Sequence, residues 1–301
     1  MLLGAIEAGG TKFVCAYGNE KGEVLERVSI PTTTPEETLT KVISFFKKQD
    51  IQAMGIGSFG PVDVDKASPS YGTITSTPKL AWVNYPLLKV MKQEFNIPIG
   101  FTTDVNAAAL GELTLGAAKG LDGCLYITVG TGIGAGAVVQ GKMLQGLTHP
   151  EMGHILVRRH QDDSYRGKCP YHGDCLEGLA SGPAIEERWG KKASYLEDKQ
   201  EVWELEGYYL AQALMQYILI LSPKKVILGG GVMKQKQLFQ IIRNHLKRLL
   251  NNYVLFPELQ EDMPNYIVSP QLGDDAGITG AIILARQTLN EIKTTRIKGV
   301  F

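Results

Sequence analysis

The sequence predicts an α/β fold in which one βββαβαβα unit is used twice, with a zinc-binding insertion in the second copy. Three observations carry this expectation. A glycine turn follows a short apolar strand at residues 7–12 and again at 128–134. After each turn, short apolar runs alternate with amphipathic segments in the same order. A polar stretch from about 148 to 200, holding a cluster of cysteines and histidines, interrupts the second series.

Residues 2–8 and 12–18 read as apolar strands joined at Gly9-Gly10, and the Asn19–Gly22 turn leads to a third strand at 23–29. A helix over 35–48 follows, because Leu39, Val42, Ile43 and Phe46 recur at i, i+3, i+4 and i+7. Residues 53–59 form the next strand, ended by Gly60-Pro61. A loop, a helix at 87–95, a strand at 98–102 and an alanine-rich helix at 106–118 complete the first unit. The second unit takes strands at 123–129 and 135–140 around the turn 130–134, and Gly141 turns the chain into a short third strand. Beyond the insertion it takes a helix at 202–221, a strand at 225–228, a helix at 234–249, a strand at 266–268 and a helix at 276–289. The expected domains are 1–118 and 119–301. The segment 276–301 is expected to pack back on the first, and the zinc loop to span about 148–180.

The composition narrows the function. Of 301 residues, 44% are hydrophobic, which suits a globular protein with a sizeable core. Thirty-one basic residues balance 31 acidic ones, so no net field gathers nucleic acid or an anionic membrane. The first ten residues lack the basic and long apolar regions of an export signal, and no run of about 18 apolar residues spans a bilayer. Four cysteines are too few for a disulfide scaffold. The expectation is a soluble cytoplasmic protein with a small-molecule partner.

At Gly9-Gly10-Thr11-Lys12 paired glycines let backbone N–H groups approach an anion, and a hydroxyl and an ammonium follow at once. Alone, this pattern reads equally as a hairpin turn or a phosphate cradle. Its partner, Gly130-Thr131-Gly132-Ile133-Gly134, favours the cradle. Glu7 is a candidate for a magnesium ion held with the phosphates, through water. Gly229-Gly230-Gly231-Val232-Met233 joins a strand to a helix without matching a Rossmann fingerprint, and its missing side chains leave room for a flat ring such as adenine. Asp104, between a strand and a helix, reads either as a helix cap or as a general base, with Asn106 as polar support. His154 with Cys169, His172 and Cys175 offers two imidazoles and two thiolates. That set suits tetrahedral zinc with no open position, hence a structural ion, against a reading as unconnected thiols and surface histidines. Glu151 and Glu177 flank these ligands, so a pinned loop would fix both carboxylates toward sugar hydroxyls rather than leave them as solvated charges. His149 and His160 are expected at the surface.

Together these residues resemble the ROK family (repressors, open reading frames and kinases), and within it the bacterial fructokinase branch, over essentially the whole chain. AIEAGGTK (5–12) is similar to the family's first phosphate motif, TVGTGIG (128–134) to the second, and LGGGV (228–232) to the adenosine motif. DVNAAALGE (104–112) is similar to the catalytic segment, and EMGH (151–154) with CPYHGDCLE (169–177) to the sugar and zinc signature. The resemblance implies an actin-like, ribonuclease H-like ATPase fold, Asp104 as base, and sugar contacts from Thr103, Asp104, Glu151, His154 and Glu177. It also implies a nucleotide near Gly9, Gly10, Thr11, Lys12, Thr131, Gly132, Ser181 and the 229–233 turn, and a homodimer. His154 would bind zinc through one ring nitrogen and offer the other to the sugar. Three positions depart from the family pattern. Glu7 stands for an aspartate, Thr103 for the asparagine of glucokinase-like branches, and His172 for a zinc-loop cysteine.

The implied activity is transfer of a phosphoryl group from magnesium ATP to a hexose, D-fructose at its 6-hydroxyl first, with mannose and glucose open. A sugar-sensing repressor on the same fold is the competing expectation. It needs a helix-turn-helix, usually ahead of the fold, and the phosphate strand starts at residue 2. A silent sugar-binding protein is the third, opposed by Asp104 and the paired phosphate turns.

Overall fold

The computed structural model describes residues 1–298, and side chains through 294; the expected end at 301 of the second domain and of the segment packing back on the first lies outside the described residues. Two five-stranded mixed sheets organise the chain. The first contains β1 (Leu3–Ala8), β2 (Lys12–Gly18), β3 (Val24–Pro31), β4 (Ala53–Ser58) and β5 (Ile99–Thr103), in the order β3-β2-β1-β4-β5. The second contains β6 (Cys124–Val129), β7 (Ile133–Val139), β8 (Lys142–Met143), β9 (Val226–Gly229) and β10 (Ile267–Val268), in the order β10-β9-β6-β7-β8. In each, three antiparallel strands lead into two added in parallel, so the repeat read from the turns is a repeat of topology. This is the actin-like ATPase architecture, in two α/β domains.

Helices α1 (Pro35–Phe46) and α2 (Leu87–Glu94) belong to the first series. Leu39, Val42 and Phe46 of α1 and Leu87, Leu88 and Met91 of α2 join Ile6, Phe13, Ile56 and Trp82 in one apolar core. Helix α3 (Asp104–Leu115) follows β5. In the second series α4 (Leu176–Ala180), α5 (Gly182–Trp189), α6 (Gln200–Leu221), α7 (Gln237–Leu250), α8 (Pro257–Gln260) and α9 (Met263–Tyr266) precede α10 (Ala276–Lys298). Trp203, Tyr209 and Leu214 of α6 and Leu238, Ile242 and Leu246 of α7 fill the core beneath the second sheet.

Helices α3 and α10 lie against each other. Ile278, Ala281, Ile282 and Ala285 of α10 pack on Leu3, Ala5, Ala16 and Ala53 of the first sheet. Ala108 and Ala109 of α3 pack with Tyr126 and Val138 of the second. The pair approaches to backbone contact. A Cβ at Gly280 would stand 1.7 Å from the Ala107 carbonyl oxygen, and one at Gly111 2.5 Å from that of Ala276. Alanine on α3 therefore serves close packing as much as helix propensity.

Several boundaries differ from those the sequence predicts. The third strand runs to Pro31 because it pairs with β2 over its full length. Helix α3 begins at Asp104, two residues early, because the Thr103 hydroxyl accepts the Asn106 N–H and caps it. The second glycine turn is only three residues long, since Ile133 already pairs with Val129. Helix α7 starts at Gln237 rather than 234, after a 3-10 turn at Val232–Lys234. Helix α10 continues to Lys298, as no glycine or proline stops it after Gly280. The helices α4, α5, α8 and α9 carry no clear apolar period in sequence and fall in stretches read as polar or irregular.

Candidate active site

In the first sheet β1, β4 and β5 are parallel, and their carboxyl ends carry Glu7, Gly60 and Asp104; in the second, β6, β9 and β10 do the same with Thr128, Gly229 and Ser269. Except for Gly60, these ends open on one cavity of about 930 Å³. Glu7, Lys12, Arg27 and Asp104 line it from the first series, and Thr128, Gly229, Gly230, Met233, Phe239 and Arg243 from the second. Carboxyl ends of parallel strands are where ligands bind in open α/β sheets, because loops there leave a crevice.

The first turn is closed by the Gly9 N–H donating to the Lys12 carbonyl at 3.0 Å, and the Thr32 hydroxyl holds the Gly9 carbonyl at 2.7 Å. Thr11 and Lys12 stay exposed. In the second, the Gly130 N–H donates to the Gly132 carbonyl at 2.9 Å, Thr131 is exposed, and the Gly130 carbonyl accepts the Gly182 N–H at 2.8 Å. Ser181 is therefore next to this turn, buried, with its hydroxyl accepting the Ala184 N–H as the cap of α5. The third turn needs glycine at 230, where φ is +90° and a Cβ would meet the Val129 backbone at 2.4 Å. A Cβ at Gly231 would stand in open space. Val232 and Met233 are buried.

Asp104 is the first residue of α3, not its cap. One carboxylate oxygen accepts the Val105 N–H at 2.8 Å, and the helix terminus favours negative charge there. Burial outweighs both, and with Glu151 nearby it pushes the Asp104 carboxyl up to about 7. Glu7 is likewise pushed up to about 7 by burial, then by the charge of Asp104, with Lys12 opposing. Glu151, at about 7, is raised by burial and by Glu177. Carboxyls crowded this way suit a site whose ligands bring cations or hydroxyl donors. Glu7 packs against Gly277 at the start of α10 and faces the cavity, so its carboxylate suits a hard magnesium ion. Thr103 is buried with its hydroxyl spent on the cap, and Asn106 is buried with its amide nitrogen unpartnered.

The zinc set converges. One donor atom from each of His154, Cys169, His172 and Cys175 lies within 4.8 Å of the others. The His154 Nδ1 is 3.7 Å from Cys169 Sγ and 3.5 Å from Cys175 Sγ, and His172 Nδ1 is 3.6 Å from Cys169 Sγ. Zinc–sulfur and zinc–nitrogen bonds of usual length give a tetrahedral S···N edge of about 3.6 Å, and these three S···N separations match it. The His154 Nε2 points away, 3.9 Å from a Glu177 oxygen. The other Glu177 oxygen accepts the Ile133 N–H at 2.9 Å, and a Cβ at Gly132 would stand 2.6 Å from it. Glu177 thus ties the zinc loop to the second glycine turn, beside the cavity rather than lining it.

Other residues of the region escaped the sequence reading. His149 is not a surface residue: its side chain is 5% exposed, and its Nε2 accepts the Val62 N–H at 3.0 Å. His160 is half-buried, its ring edge-on to Tyr208. Glu112 is fully buried and accepts the N–H groups of Ala117, Gln271 and Leu272 at 2.7, 3.1 and 2.8 Å. Phe239 and Arg243, at i and i+4 on α7, reach the cavity beyond the third turn; their spacing was the available signal. Arg27, on a strand edge and paired with Asp275, offered none.

The ROK family model matches residues 3–288. The chain is 65% identical over 96% of each chain to a provisionally named fructokinase of Bacillus subtilis (strain 168), and 48% identical to a fructokinase of Pediococcus pentosaceus over 96% of this chain and 99% of that one. A ROK family glucokinase from Streptomyces griseus, solved with glucose and AMPPNP, superposes with a TM-score of 0.74 at 26% identity over 95% of this chain and 100% of that chain. The duplicated topology, the paired glycine turns and the Cys/His cluster accord with these likenesses, and the chain belongs to the ROK family.

Proposed function

We propose that the protein is an ATP-dependent fructokinase, converting D-fructose and ATP to D-fructose 6-phosphate and ADP. The observation that carries the reaction is Asp104, a carboxyl poised near neutrality where the strand ends of both sheets meet. The likeness to fructokinases carries the sugar.

In this reading Asp104 takes the proton of the sugar's 6-hydroxyl as its oxygen forms a bond to the γ-phosphorus; the bond to the bridging oxygen breaks and ADP leaves. Thr11, Lys12, Thr131 and Gly132, with the turn N–H groups that are not spent within the turns, hold the phosphates. Adenine lies over Gly229 to Gly231, near Met233 and Phe239, and Ser181 supports the second turn. Magnesium, when bound, neutralises phosphate charge, and Glu7 would hold it through water. Glu151, His154 and Glu177 hold the sugar, and Thr103 acts by fixing the start of α3 under Asp104. His154, Cys169, His172 and Cys175 would hold a structural zinc, and the loop so pinned would orient Glu151, His154 and Glu177.

The functional halves divide near residue 118, with α10 serving the first. A reaction fed by ATP and thiols kept free as zinc ligands suit the cytoplasm. The homodimer implied by the family is checked by sedimentation.

The test is initial-rate ADP release with fructose, mannose, glucose and N-acetylated hexosamines. Fructose should give the highest kcat/KM. Preference for another hexose would revise the substrate, and ADP release independent of sugar would remove the kinase reading.

A further inference from the structure

We propose that His149 is a positioning residue that locks the Glu151 carboxylate to the turn after β4, so that the sugar site is set jointly by elements of both halves. The inference rests on the reading of Glu151 as a sugar contact. The His149 imidazole is buried at the point where the 148–151 segment meets residues 60–62. Its Nε2 accepts the Val62 N–H at 3.0 Å, which places the ring proton on Nδ1. That Nδ1 faces the Pro150 backbone and stands 3.6 Å from Glu151 Oε1. Beside it the Thr148 hydroxyl donates to the Val62 carbonyl at 3.4 Å, so consecutive side chains of one segment hold both backbone groups of Val62.

The packing leaves no slack. A Cβ at Gly60 would stand 3.1 Å from the imidazole Cε1 and 3.3 Å from Glu151 Oε1, so the ring and the carboxylate share the wall formed by that glycine. Burial lowers the His149 pKa, which keeps the ring neutral and its Nε2 an acceptor. Glu151 by contrast is 40% exposed, and among the described residues its carboxylate makes no hydrogen bond, only this 3.6 Å contact with the His149 Nδ1. A half-exposed carboxylate meets a particular pattern of sugar hydroxyls only if something rigid orients it, and the imidazole beside it is rigid on both of its edges.

A double-mutant cycle tests this. Glu151→Gln, His149→Ala and the pair are compared through KM for hexose, KM for ATP and kcat, with His149→Gln as the conservative variant whose amide oxygen can still take the Val62 N–H. His149→Ala should raise hexose KM about tenfold and leave ATP KM within about twofold, and the double variant should resemble Glu151→Gln alone. His149→Gln should recover most of the loss. If Glu151→Gln leaves hexose KM unchanged, the sugar-contact reading fails and takes the coupling with it. If Glu151→Gln raises KM but the His149 effect adds to it in full, or strikes both substrates equally with a lowered thermal midpoint, His149 is only a packing residue and the proposal is overturned.

Discussion

At the scale of single residues, the decisive feature is a carboxyl that the fold makes reluctant to ionise. Asp104 has an ordinary value of 3.8 and is raised to about 7. Its folded pKa lies above its unfolded one, so folding is penalised as pH rises from the first value to the second, and the penalty is complete above about 7. Asp104→Asn should therefore raise the thermal midpoint above pH 7 and leave it unchanged below pH 3.8, while phosphoryl transfer falls by at least about 10³-fold. Calorimetry beside the rate assay separates the two effects. In the unaltered protein kcat/KM should fall about tenfold per pH unit below an acid limb near 7, since the base must be ionised to accept a proton. The position of Asp104 was legible in sequence from the strand-to-helix junction, but its burial was not. Its surroundings are assembled from far along the chain, with Glu7 of β1 and Ala276 and Gly277 of α10 lining the same cavity. His149 was misread for the same reason: its partner, Val62, lies 87 residues away.

At the scale of elements, α3 and the loop before α10 are joined by one side chain. Glu112 accepts three backbone N–H groups, two of them from residues 271 and 272. Removing it leaves buried donors unpaired, and Glu112→Ala should cost about 3 kcal/mol of unfolding free energy, measurable by urea titration. The zinc loop makes a second bond between elements, from Cys175 through Glu177 to Ile133. Purified protein should carry one zinc per chain by elemental analysis. Cys175→Ser or a strong chelator should lower the thermal midpoint and raise the KM of both substrates, because Glu177 touches the second glycine turn. Legibility here divides cleanly. The ligands stood out because three of them fall in one Cys-x-x-His-x-x-Cys loop. The helices α4 and α5 did not, since five and eight residues between tight turns leave little period to read.

At the scale of the whole molecule, two copies of one topology turn the carboxyl ends of their parallel strands toward a shared cleft, with α3 and α10 packed together between them. The duplication was legible because turns and strand order repeat even where residues do not. The close helix contact was not, because glycines at 111 and 280 look like weaknesses in a helix until a second backbone is placed against them. In the proposed reaction, closure of the halves over both substrates would exclude water and direct the phosphoryl group to sugar rather than solvent. The most direct test of this account follows uniformly ¹³C-labelled fructose with magnesium ATP by NMR. The account predicts a product with phosphorus coupling at C6, formed in step with ADP. Phosphorus at C1, or ADP and inorganic phosphate with the sugar unchanged, would contradict it.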